Sequence, residues 1–330
     1  MNEQLIIMNP LLKKFNKNYG VITYSGTLAF EIALINANLP ENAHILLIDN
    51  VCYTISNVIK KLGYQPIFIK PKNSFYLTND EILNFIENNE IDCFVLVHMY
   101  GIYNNINLKV LKDKNIFIIE DVSQIWSPLQ IDDQFGKMSD VIITSFGKTK
   151  PLSYGIGGTL MFDNKKFYKN LDFCDEQSRR NSNVLISYIM HTLTSKQLVK
   201  LINKANIIFN KQNTIANKYF EIIKKYDFIN CFEYHNPNNT WHRFPIWFDS
   251  KRNFDYFIKQ ANKYKLHYQL LHEIELCDLE LYKNDKKIEN NIMNNKEKYF
   301  FLLRTKNIDR NKQMKIFSLI LKKQSKYFKN

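Results

Sequence analysis

The chain has 330 residues and a mass of 39.3 kDa, long enough for a large core and two structural domains. Its 45% hydrophobic and 14% aromatic residues make a globular protein and exclude intrinsic disorder. A formal charge of +13 and a pI near 9.3 would suit a polyanion, but the lysines are dispersed among asparagines without a DNA- or RNA-binding signature, so no nucleic acid is expected as partner.

Residues 1–19 read as a short helix behind a polar lead-in. Their apolar run is too short for a signal peptide and lacks a basic start and a cleavage site, and no stretch approaches a membrane span. A cytoplasmic protein with no membrane partner is expected. Val21 to Glu31, VITYSGTLAFE, reads as a strand, a tight turn and a helix from Leu28 to Asn36. Ser25 and Thr27 flank Gly26 at the helix start, where free N–H groups and the helix dipole make an anion site; simple capping explains the pair equally well.

His44 to Asp49 is an apolar strand, and a helix follows to Leu62-Gly63 with Tyr53 near its start. Gly63 to Ile69 is the next strand. Thr78 to Asn89 has helical spacing with Thr78 or Asn79 as its cap. Cys93 to His98 is a buried strand ending VHMYG, and a lone histidine there is more often structural than catalytic.

The stretch Ile116 to Leu160 carries the chemistry. The apolar strand Ile116 to Ile119 runs into two carboxylates, Glu120 and Asp121, and Val141 to Thr144 runs into Ser145, Lys148 and Lys150, followed by the turn Gly155-Ile156-Gly157-Gly158. In an open α/β sheet ligands bind at the carboxyl ends of such strands. A lysine amine, a carboxylate and phosphate donors are the groups that hold pyridoxal phosphate. Lys148 and Lys150 leave the same strand and compete for the amine role.

After Asn164 the composition turns polar and helical, with one or two long helices over 186–226. Thr240 to Phe248 alternates as a strand of a smaller α+β domain, and Asn295 to Phe328 reads as an amphipathic helix. His267 and His272 stand five apart and share no helix face, which argues against a metal pair, and no metal is expected. The five cysteines have no CxxC spacing and read as reduced thiols. Alternating strands and helices up to Phe162 predict a mostly parallel, doubly wound α/β sheet, with a large domain over 1–210 and a small one over 211–330.

EDVSQ, then G-x-x-S-D-x-x-x-x-S-F-x-x-x-K-x-L and a Gly-Gly pair, in that order over some forty residues, resembles the DegT/DnrJ/StrS family of pyridoxal-phosphate sugar aminotransferases. The Ser25-Gly26-Thr27 turn resembles the family's S-G-T-x-A-L, VHMYG its VHLYG, and Trp241-His242-Arg243-Phe244 its W-H-x-F/Y-x-I. Leu266 to His272 resembles the family's V-H-Y-x-x-x-H segment. The match runs from about Gly20 to about His272. It implies a fold-type-I aminotransferase with pyridoxal 5'-phosphate on Lys150, chosen over Lys148 by the S-F-x-x-x-K spacing. It further implies Asp121 at the pyridine nitrogen, Gln124 at the phenolic oxygen, and Ser145, Ser25, Gly26 and Thr27 at the phosphate.

Tyr53 is the stacking ring in this reading, although the strict position falls on Cys52. Asn181 reaches the partner's phosphate, and His242, His267 and Tyr268 face the substrate. The resemblance implies a homodimer that moves an amino group from glutamate to a keto-sugar, nucleotide-linked, for surface glycans. A sugar dehydratase, in which histidine replaces Lys150, a noncatalytic relative and a basic nucleic-acid-binding protein are the alternatives. Two departures stand out: Ile156 replaces an acidic residue before the Gly-Gly pair, and the segment before Gly20 is short.

Overall fold

The computed structural model describes residues 3–71, 76–125, 136–164, 195–232, 239–270, 299–304 and 310–328. Within these, seven strands form one sheet: β1 (Tyr19–Thr23), β2 (His44–Ile48), β3 (Gln65–Ile69), β4 (Cys93–Val97), β5 (Phe117–Asp121), β6 (Val141–Ser145) and β7 (Gly158–Phe162). Their order is β1-β7-β6-β5-β4-β2-β3. Neighbours from β3 through β6 pair parallel, and β7 runs antiparallel to both β1 and β6. The carboxyl ends of β1 to β6 therefore share one edge with the start of β7. The strands read as unbroken apolar runs because both faces are covered; Leu46, Phe94, Ile118 and Val141 are fully buried.

Helices α1 (Glu3–Lys14), α2 (Gly26–Asn36), α3 (Tyr53–Lys61), α4 (Asn79–Asn88) and α5 (Leu108–Asp113) accompany this sheet. Thr78 caps α4 in a reciprocal box: the Glu81 amide donates to its hydroxyl at 3.3 Å, and the Thr78 amide donates to the Glu81 carboxylate at 2.7 Å.

A second sheet holds β8 (Asn230–Cys231), β9 (Arg243–Phe248), β10 (Tyr268–Leu270) and β11 (Tyr299–Arg304) in the order β10-β11-β9-β8, with α7 (Lys251–Lys263) and α8 (Arg310–Tyr327) beside it. The long α6 (Ser195–Ile223) serves both sheets. Its Ala205 and Phe209 join Met8, Leu11 and Phe15 under the large sheet, while Tyr219 and Phe220 meet Phe244 with ring centroids 5.4 and 5.1 Å apart. The expected boundary at residues 210 and 211 falls inside this helix.

Two expectations are corrected. Asn295 to Phe328 is not one helix: Tyr299–Arg304 is the strand between β9 and β10, and the helix starts at Arg310. The run YFFLL has no helical stripe of polar residues, and a short apolar run fits a buried strand as well as a helix. The strand expected from Thr240 starts only at Arg243, because Trp241 sits at φ 46° and breaks the extended backbone.

Candidate active site at the strand edge

The edge shared by β2, β4, β5, β6 and the start of α2 collects the residues that carry the resemblance. Asp121 ends β5 almost fully buried, and its Oδ1 accepts the Ser123 amide at 2.8 Å. Next to it, Ser145 ends β6; its Oγ accepts the Gly147 amide at 3.3 Å, which leaves its hydroxyl hydrogen to donate elsewhere.

The Ser25-Gly26-Thr27 turn lies directly against that serine. A methyl on Gly26 would stand 2.8 Å from Ser145 Cβ, so only glycine lets turn and strand end meet. From the other side the glycines before β7 close in: the Gly157 amide donates to the Tyr24 carbonyl at 2.8 Å, and the Phe146 amide donates to the Gly157 carbonyl at 2.8 Å. The Ser25 hydroxyl oxygen accepts the Leu28 amide at 3.1 Å, which leaves its hydrogen to donate. What the turn offers an anion are thus the first-turn backbone N–H groups of α2 together with the Ser25 and exposed Thr27 hydroxyls.

Lys150 follows in a tight turn, its amide donating to the Gly147 carbonyl at 3.0 Å. It is half-buried, whereas Lys148 is exposed. The contrast favours Lys150 as the lysine held close to the site.

Gln124 is tied to the loop after β4. Its Oε1 accepts the Tyr100 amide at 3.0 Å, and its Nε2 lies 3.3 Å from Met99 Sδ, a weak acceptor that a better one can displace. Tyr100 adopts φ 59°, and its hydroxyl donates to Asn50 Oδ1 at 3.1 Å. Burial holds that phenol well above its ordinary pKa, against the opposing pull of the Asn50 hydrogen bond and the nearby Arg243 charge.

Tyr53 opens α3 and is 53% exposed, so its ring is open to contact from outside the chain; Cys52 stands at the N-cap position without a side-chain cap, its Sγ 3.2 Å from Thr54 Oγ1. His242 is buried, and its carbonyl accepts from Arg243 Nη1 at 3.0 Å. His267 and Tyr268 make their described contacts beside the second sheet: the His267 amide with Gln313 on α8 and the Tyr268 hydroxyl with Asn262 on α7, both at 2.8 Å. Asn181 lies outside the described residues.

Sequence reasoning missed Asn50 and the closeness of Gly158 to Ser25. No motif marks the first, and the second is a contact between distant segments that only the strand order β1-β7-β6 creates.

Among the described residues, no group of three or more His, Cys, Asp and Glu is arranged for a metal, and no helix is long and apolar enough to cross a membrane. Cys52, Cys93 and Cys231 form no disulfide.

The chain is 24% identical over 163 residues to GDP-perosamine synthase of Escherichia coli O157:H7, a match covering 48% of this chain and 44% of that protein. It thus aligns with less than half the length of that curated relative. In solved structures its fold matches a DegT DnrJ EryC1 StrS aminotransferase from Brucella abortus, with TM-score 0.79, 17% identity and coverage of 98% and 91% of the two chains. It also matches NtdA from Bacillus subtilis with bound cofactor PMP, with TM-score 0.77, 17% identity and coverage of 98% and 78%. The family model described as DegT/DnrJ/EryC1/StrS aminotransferase matches residues 9–305, and with nine-tenths of its length inside that match the chain belongs to this family.

Proposed function

We propose that this protein is a pyridoxal-phosphate-dependent aminotransferase that moves an amino group from an amino acid, glutamate, to a nucleotide-linked keto-sugar. The observation that carries the reading is the convergence of Asp121, Ser145, Lys150 and the Ser25-Gly26-Thr27 turn on one sheet edge. The residues fit the cofactor. The Ser145 hydroxyl and the turn amides form a small cradle for a phosphate, and a methyl at Gly26 would fill it.

When bound, pyridoxal phosphate supplies an electron sink and a carbonyl that takes up the amino group. The chain's residues do the rest. Asp121 pairs with the pyridine nitrogen and keeps its proton in place. The Lys150 amine would hold the cofactor covalently and, once the donor's amine had displaced it, would be the free base that carries a proton away from the donor carbon. Gln124 Nε2, which lies against Met99 Sδ, would donate to the phenolic oxygen. Tyr53 stacks on the ring, and His242, His267 and Tyr268 face the acceptor.

The likeness to GDP-perosamine synthase supports a nucleotide-sugar acceptor. We place the enzyme in the cytoplasm, in the synthesis of surface glycans, as a homodimer whose partner subunit reaches the phosphate through Asn181. The test is conversion of glutamate to 2-oxoglutarate with a panel of nucleotide-linked keto-sugars. Amino-sugar formation with one of them is expected. Absence of any half-reaction between glutamate and the cofactor-loaded protein would overturn the reading.

A further inference from the structure

His98 and Glu120 form a buried pair that the reaction above does not use. His98 follows β4 directly, and the β4–β5 register sets Leu96 opposite Glu120 and Val97 opposite Asp121. The histidine therefore reaches each of the last two residues of β5 once. Its backbone amide donates to the Asp121 carbonyl at 3.3 Å, and its ring Nε2 lies 3.0 Å from Glu120 Oε1.

The ring itself is fixed on three sides. The Asn104 amide donates to Nδ1 at 3.1 Å, which puts the ring hydrogen on Nε2 and aims it at Glu120. Tyr103 stacks on the ring with centroids 5.3 Å apart. The second carboxylate oxygen of Glu120 accepts from the Ser139 hydroxyl. His98, Glu120, Asn104 and Ser139 are all buried.

Successive residues of a strand point to opposite faces, so Glu120 lies behind the sheet from Asp121. A buried carboxylate bonded to a histidine adds little stability over two well-packed apolar side chains. What it adds is a fixed position for the strand end. Neither side chain of the pair is exposed to a ligand at the site.

We propose that His98, through Glu120, is a positioning residue that sets the Asp121 carboxylate at the place and angle where it meets the ring nitrogen of the cofactor. The proposal rests on the role given to Asp121 above.

The test compares affinities of the apo-protein for pyridoxal phosphate and for its 1-deaza analogue, in which C–H replaces the ring nitrogen, by fluorescence titration. The parent chain is expected to prefer pyridoxal phosphate by about tenfold or more, the fold-change of a charge-assisted hydrogen bond. In the double variant His98→Phe/Glu120→Leu, which leaves no orphaned charge, most of that preference is expected to vanish while the analogue binds as before. The isosteric Glu120→Gln, which keeps the shape and retains a hydrogen-bonding group, is carried in parallel and should retain most of the preference.

An unchanged preference in the double variant, or an equal loss of both ligands, overturns the proposal and leaves the pair as packing. A parent chain with no preference instead overturns the role of Asp121 itself, so the two failures are told apart.

Discussion

Gly158 presses so closely on Ser25 that a methyl on its α-carbon would stand 2.5 Å from the Ser25 carbonyl carbon and 2.6 Å from the Gly26 nitrogen. Backbone, not a flexible side chain, occupies that space, so any side chain at residue 158 displaces the turn. We expect Gly158→Ala to weaken pyridoxal-phosphate binding by about tenfold or more, since the turn amides leave the phosphate. Gly63→Ala, at a glycine with nothing within 4 Å but φ +81°, is the control for backbone strain alone. Titration of both apo-variants with the cofactor checks this; equal affinities would contradict it.

Borohydride reduction of the loaded protein, followed by peptide mapping, should place the cofactor on Lys150, the half-buried lysine, and not on the exposed Lys148. Lys148→Ala is expected to keep the label and Lys150→Ala to lose it. A label on Lys148 would sink the assignment.

Asp121→Asn should still bind cofactor but lose the half-reaction with glutamate by about two orders of magnitude or more, because an amide cannot hold the ring nitrogen protonated. Stopped-flow absorbance of the loaded variant measures this. A parent-like rate would leave Asp121 as a structural residue.

Stability should fall on the alkaline side. Burial raises the Cys93 thiol well above its ordinary 9.0 and raises the Tyr219 phenol above its ordinary 10.0. Both stay protonated in the folded chain while the unfolded chain releases its protons, so the native state binds more protons there. Their contribution is complete below pH 9 and is lost as pH rises through 9 and 10 toward the raised folded values. Tyr219→Phe should flatten the loss above pH 10 in a urea-unfolding series; an identical slope would exclude Tyr219 as its source.

Thr78→Ala removes one half of the α4 capping box and should cost about 1 kcal/mol of stability with cofactor affinity unchanged. Denaturant midpoints at a constant slope provide the measurement.

Much of this was legible in the sequence because β5 and β6 are apolar runs that stop at polar residues, and the parallel sheet reads as such runs. Asp121 and Ser145 therefore stood out at strand ends before any fold was known. Glu120 did not separate from Asp121 as plainly, although strand alternation alone sends the two to opposite faces. Contacts between distant segments were illegible: Tyr100 with Asn50, and Gly158 with Ser25, depend on strand order and loop path. Tyr299–Arg304 was misread because its pairing with β9 and β10 overrides local spacing.

The seam between the two sheets is tied at its base. The Thr240 and Trp241 amides both donate to the Gly101 carbonyl, at 2.7 and 3.3 Å, the Thr240 hydroxyl donates to the Gln124 carbonyl at 3.3 Å, and the Tyr103 amide donates to Asn239 Oδ1 at 2.8 Å. These ties join the lead-in to β9 with the loop that follows β4. Gly101 precedes this loop's exit and Gln124 bonds the Tyr100 amide, so a substitution that breaks the Thr240 contacts bears on the chain around Tyr100 and on Gln124 together.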